Sequence, residues 1–314
     1  MAEDGTWRKP PCPRGGEGNA RVEIPARPTR IDRHEFRTDN ATELMAPVIK
    51  NTADILDGIE TSEDDRYDAL PSALTLAKWR CLTDPRAAEF PSWEAWVTAM
   101  QVGSALFASG TAEEGPVPCR IGSRGEAKQL PATGPQDYLH AGNWLTSFYL
   151  AVICRENDRV DRLARVPVSF LRASGAEFDE YIYAWVETLQ HLWFGRRAVW
   201  DTLITAVDGT DPQRAPIAGP ELMLKILYPP LDLFQRYLRR EPEQFNTALT
   251  DALTWHKEYW TANEARTLSG EGLVALAPLA IACMAYDADM PVEAESEYLP
   301  RALLRRSWVG EYDT

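Results

Sequence analysis

Residues 272–308 read GLVALAPLAIACMAYDADMPVEAESEYLPRALLRRSW. Leu273 to Tyr286 carries no charged residue, and it runs straight into a turn holding Asp287, Asp289, Glu293, Glu295 and Glu297. The apolar run is shorter than the roughly 20 residues that a bilayer-spanning helix needs. A helix apolar all round is one enclosed by other helices. The stretch therefore predicts a helical protein with a buried central helix and an acidic turn at its surface. Tyr298 to Arg306 closes it as a short basic amphipathic piece.

Outward from this stretch the pattern stays helical. Asn40-Ala-Thr-Glu43 reads as a helix entry with a capping residue and a Glu three positions on. Leu70, Leu74, Ala77 and Cys81 mark one face of a helix over 66–82, which Asp84-Pro85 ends. Ser92 is the expected cap of the next, with Trp93, Trp96, Met100 and Phe107 at helical spacing. Further helices are predicted over 138–156, 176–194 and 197–207. In the second of these, Tyr181, Trp185, Leu189 and Trp193 make one continuous stripe. Pro229-Pro230 divides 220–240 into two, and Glu241-Pro242 opens a helix that ends at Trp260. No run of alternating apolar residues supports a sheet, although VPCRIG (117–122) fits a short edge strand.

The fold class is thus all-α, one large domain over 34–314, built as an irregular array of antiparallel helical hairpins. Long helices break at Asn157-Asp158, Gly195 and Glu241-Pro242, so a tetratricopeptide-like repeat is the alternative, though its signature is absent. Residues 1–33 are rich in Pro and Gly without apolar periodicity, which predicts a disordered tail. A true start near Val22 is a second reading of that tail.

Composition narrows the function. A formal net charge of −14 over 314 residues argues against nucleic-acid or anionic-membrane binding, since both require basic patches. It suits steering toward a basic partner. The five cysteines (12, 81, 119, 154, 283) form no CxxC and read as reduced core thiols. The N-terminus has no apolar signal region, so the cytoplasm is the expected compartment.

Asp64-Asp65-Arg66-Tyr67-Asp68 resembles the DDxxD of terpene synthases, where carboxylates one turn apart hold Mg²⁺ and a diphosphate. The second metal motif of those enzymes is missing: after Asn157-Asp158, Asp161 and Arg165 occupy the later ligand places. Acidic residues are also favoured at a helix N-terminus by its dipole. His34, His140, His191 and His256 lack metal-ligand spacing and read as packed or capping side chains. No nucleophile elbow or phosphate loop occurs, and no cofactor is expected. What remains is surface: one acidic cluster around Asp57, Glu60, Asp64 and Asp65, and the turn from Asp287 to Glu297 followed by Tyr298.

The chain resembles the Imm49 family of bacterial immunity proteins, in its Streptomyces-type branch. The resemblance rests on His34-Glu-Phe with Asp39-Asn-Ala, TLAKWRC (75–81), WEAWVTAMQVGSALF (93–107) and HAGNWLTSFYLAVICRE (140–156). It continues through LRASGAEFDEYIYAWVETLQ (171–190), KILYPPLDLF (225–234), HKEYW (256–260) and ESEYLPRALLRRSW (295–308). The resemblance implies a helical, non-catalytic protein that protects its producer by binding the toxin domain of a polymorphic toxin system. A basic nuclease is the toxin type that the negative charge suits. On that reading Asp57, Glu60, Asp64, Asp65, Asp287, Asp289, Glu293, Glu295, Glu297 and Tyr298 are the candidate partner-binding residues.

Overall fold

The computed structural model describes residues 29–36, 41–122 and 127–310. Helix accounts for 63% of the chain and strand for 4%, so the all-α class holds. The N-terminal half is a series of hairpins: α1 (Ala41–Gly58), α2 (Glu63–Thr83) and α3 (Phe90–Thr111), each packed on the next. Short turns between long helices force such antiparallel neighbours. The first is set by Ser62, whose side chain accepts from the Asp65 N–H at 3.1 Å. The second is set by Asp84, whose carboxylate accepts from the Glu89 N–H at 2.8 Å. Ser92 does not cap α3: Pro91 is accommodated in its first turn, the helix begins at Phe90, and Ser92 is buried. The expected cap at Asn40 lies outside the described residues.

Strands β1 (Arg30–Ile31), β2 (Val117–Arg120) and β3 (Ala127–Leu130) are short, with β2 and β3 paired antiparallel. The predicted edge strand is therefore half of a small hairpin. Next come α4 (Ala141–Cys154), α5 (Asn157–Ala164), α6 (Val168–Arg172), α7 (Tyr181–Trp193) and α8 (Val199–Asp208). His140 caps α4, accepting from the Asn143 N–H at 3.1 Å. The aromatic stripe of α7 is buried at Tyr181, Trp185 and Leu189, while Trp193 stays half-buried. The helix starts at Tyr181, later than periodicity predicts. Gly175 breaks the chain at φ +81°, and the buried Asp179 carboxylate accepts from the N–H groups of Ile217 (3.0 Å) and Ala218 (2.8 Å).

The chain continues through α9 (Pro220–Leu222), a π-helical turn at Met223–Leu227, α10 (Pro229–Arg239), α11 (Pro242–Trp260) and α12 (Glu264–Thr267). A 3₁₀ turn at Gly270–Leu273 leads into α13 (Leu276–Asp287), followed by β4 (Glu295–Ser296) and α14 (Arg301–Leu304). α13 touches α4, α10, α11 and α14, which explains an apolar surface on every side: Leu279 to Ala285 are all buried. Gly270–Asp287 is apolar enough by length and composition to cross a membrane, but two thirds of it (67%) is buried in the protein. A break at Val274–Ala275 also limits its continuous helix to 12 residues.

Several indole N–H groups find acceptors inside the core. Trp144 donates to Leu163 O (2.8 Å), Trp185 to the Tyr149 hydroxyl (2.7 Å) and Trp308 to Ala87 O (2.9 Å). Residues 29–33, assigned by composition to the tail, join the body. β1 pairs in parallel with β4, and the Glu295 N–H donates to Thr29 O at 3.1 Å.

Candidate protein-interaction groove

The turn after α13 lines an open groove of about 1100 Å³, whose other walls are β1, the α2–α3 turn and α14. One bank carries Asp289, Glu293 and Glu295, all exposed. The other carries Arg86, Arg301 and Arg305, also exposed. Arg301 and Arg305 lie four residues apart, so they share the outer face of the last helical turn while Ala302, Leu303 and Leu304 turn inward. The site is bipolar rather than simply acidic. Reading RALLRR by its i, i+4 spacing would have disclosed the basic bank.

Two of the predicted contact residues have internal duties. Tyr298 is fully buried: its hydroxyl accepts from the His34 backbone N–H (3.1 Å) and bonds His34 Nδ1 (2.8 Å), and its ring stands edge-on to His256 at 4.8 Å. The exposed aromatic of the groove is instead Tyr286, 39% accessible on the last turn of α13. Asp287 is held by Arg155, with Nε to Oδ2 at 3.0 Å and Nη2 to Oδ1 at 3.3 Å. Glu297 faces the largely buried Arg33 at 3.8 Å and stays half-exposed.

The second acidic cluster lies elsewhere. Asp57, Glu60, Asp64 and Asp65 sit at the α1–α2 turn, whereas Pro85 and Arg86, just past the other end of α2, line the groove. From Asp65 to Thr83 the helix rises about 27 Å, so the two clusters do not merge into one face. Glu60 is occupied locally, accepting from the Gln129 N–H at 2.6 Å and pairing with Lys128 at 3.9 Å. Asp57 and Asp64 remain exposed, and Asp65 packs its carboxylate against Gly58.

The metal-enzyme reading required Asp64, Asp65 and Asp68 to face an apolar cavity. An apolar cavity of about 510 Å³ does exist, but none of the three lines it. Asp64 and Asp65 sit in the first turn of α2, where the helix dipole favours acidic residues. Among the described residues no group of three or more His, Cys, Asp or Glu is placed to hold a metal.

The remaining titratable core groups are structural. His256 is buried, with its Nε2 at 2.9 Å from Gly272 O, and burial pushes its pKa down to about 3. His34 is shifted the same way by burial and by the charge of Arg33. Cys81, Cys119, Cys154 and Cys283 are free and buried, with burial pushing Cys81 up to about 12 and Cys283 up to about 11. A thiol so far from ionising is a poor nucleophile.

The described residues thus combine a helical body, a charged open groove and buried thiols held far from ionisation. The family model for immunity protein 49 (Imm49) matches residues 84–303, most of the chain, and the protein belongs to that family. No curated protein and no solved structure matches the chain.

Proposed function

We propose that this protein is the immunity partner of a polymorphic toxin and neutralises a cognate toxin domain in the cytoplasm by tight binding, without catalysis of its own. Membership of the immunity protein 49 family carries the reading. The groove beside α13 is the docking surface we assign. Its carboxylates Asp289, Glu293 and Glu295 steer a basic toxin face, and a nuclease is the toxin type that fits the −14 net charge. Tyr286 supplies the aromatic anchor, because interface energy concentrates in partly enclosed aromatic residues. Arg86, Arg301 and Arg305 opposite set register, since like charges brought together are penalised. Co-expression with the toxin domain of the neighbouring gene tests this. Growth rescue together with co-purification supports the reading, and toxicity undiminished by a well-expressed protein refutes it.

A further inference from the structure

The apolar cavity opens at the opposite end of α13 from the groove, where Val274 to Pro278 enter the helix, and it is walled by α4, the start of α7, α11 and the π-helical turn. We infer that it is a binding site for a small, neutral, largely apolar molecule that presents a hydrogen-bond acceptor oxygen.

Size comes first. At about 510 Å³ the space falls inside the range of pre-formed small-molecule sites, roughly 300–1,000 Å³. Its floor is core: Trp185, Ala252, Val274 and Ala275 are each at most 2% exposed. The neighbouring wall is the π-helical turn, a rare backbone form that recurs at functional sites.

Charge comes second. Every buried ionic group in the wall is already compensated. Lys78 meets Glu271 at 2.5 Å, Asp179 is held by two backbone N–H groups, and His256 Nε2 is engaged by Gly272 O. Lys225 pairs with Glu258 at 3.3 Å. A charged ligand would find no counter-ion inside, which excludes a diphosphate.

Hydrogen bonding comes third, and it sets the ligand's polar atom. The Tyr149 hydroxyl accepts from Trp185 but has no acceptor for its own proton among the described residues. The indole N–H of Trp260 is buried without any partner. Buried donors left unmatched are unfavourable, so an oxygen acceptor arriving with the ligand gains what the empty wall lacks. The inference needs no toxin and stands apart from the proposed function.

The test uses 6-propionyl-2-dimethylaminonaphthalene, a neutral naphthalene with one ketone, titrated into the full-length protein. Saturable 1:1 binding is expected, with blue-shifted emission and energy transfer from tryptophan. Thr146→Trp and Ala218→Phe, which fill the space from two walls, should each weaken binding about tenfold or more. Trp260→Phe, which removes the indole donor while keeping an aromatic wall, should weaken it about fivefold. In competition, 2-acetylnaphthalene should displace the probe at lower concentration than 2-ethylnaphthalene. Circular dichroism melts accompany each variant, and whichever filled variant keeps its melt is the one read. Absence of saturable binding, affinity unaffected by filling, or equal potency of the two competitors would overturn the assignment.

Discussion

Arg155 reaches from the end of α4 to Asp287 at the end of α13, joining its Nε to Oδ2 at 3.0 Å. The residue sits in left-handed backbone at φ +59°, and its guanidinium also donates to Leu303 O (2.7 Å) and Leu304 O (2.9 Å). One buried side chain thus ties two core helices to the final helical turn, which carries the basic bank of the groove. Removing one partner of a buried ion pair strands the other, at about 3–5 kcal/mol. Arg155→Met should lose stability of that order in urea unfolding, whereas loss below about 1 kcal/mol would show the tie to be dispensable.

The histidines make stability depend on pH with a definite sign. His256 stays neutral in the folded protein down to about pH 3, while the unfolded chain protonates it near the ordinary 6.5. Its contribution is therefore complete above pH 6.5 and declines as pH falls from 6.5 toward 3, then levels off. The slope is about 1.4 kcal/mol per pH unit within that window. His34 adds in the same direction. Urea midpoints measured from pH 7 to pH 4.5 should fall accordingly, and His256→Gln should flatten the curve while lowering its plateau.

Tyr298 is predicted to be a structural residue with no role in contact. Tyr298→Phe removes the acceptor for the His34 N–H, which should cost about 1–2 kcal/mol and speed hydrogen exchange across residues 30–36. Toxin affinity should stay unchanged. Tyr286→Ala should do the reverse, leaving the melt intact while weakening toxin binding about 30-fold, as loss of an aromatic anchor does.

Local sequence signals located most of the helices because their ends are punctuated by residues that act within one turn. Asp84 and Glu241-Pro242 delimit α2 and α11 where expected. The start of α7 is not legible locally because Asp179 serves backbone groups almost 40 residues away, an arrangement no local pattern encodes. The burial of Tyr298 has the same origin. Its partners His34 and His256 are remote in sequence, and a tyrosine after three glutamates reads as surface until they are in place. Asp287 looked like its acidic neighbours, but a buried arginine from another hairpin claims it. Composition registered the negative charge, yet the arginines opposite come from two segments far apart in sequence that only the fold assembles.

The most direct measurement is the association rate of this protein with its cognate toxin domain as salt is varied. Glu293→Lys with Glu295→Lys should lower the rate constant about tenfold at low ionic strength, and the gap should close at high salt. Asp57→Lys with Asp64→Lys, at the far end of α2, should leave it within about twofold. Equal rates for the wild type and the groove variant, or a larger effect at the far cluster, would contradict the groove as the toxin-binding surface.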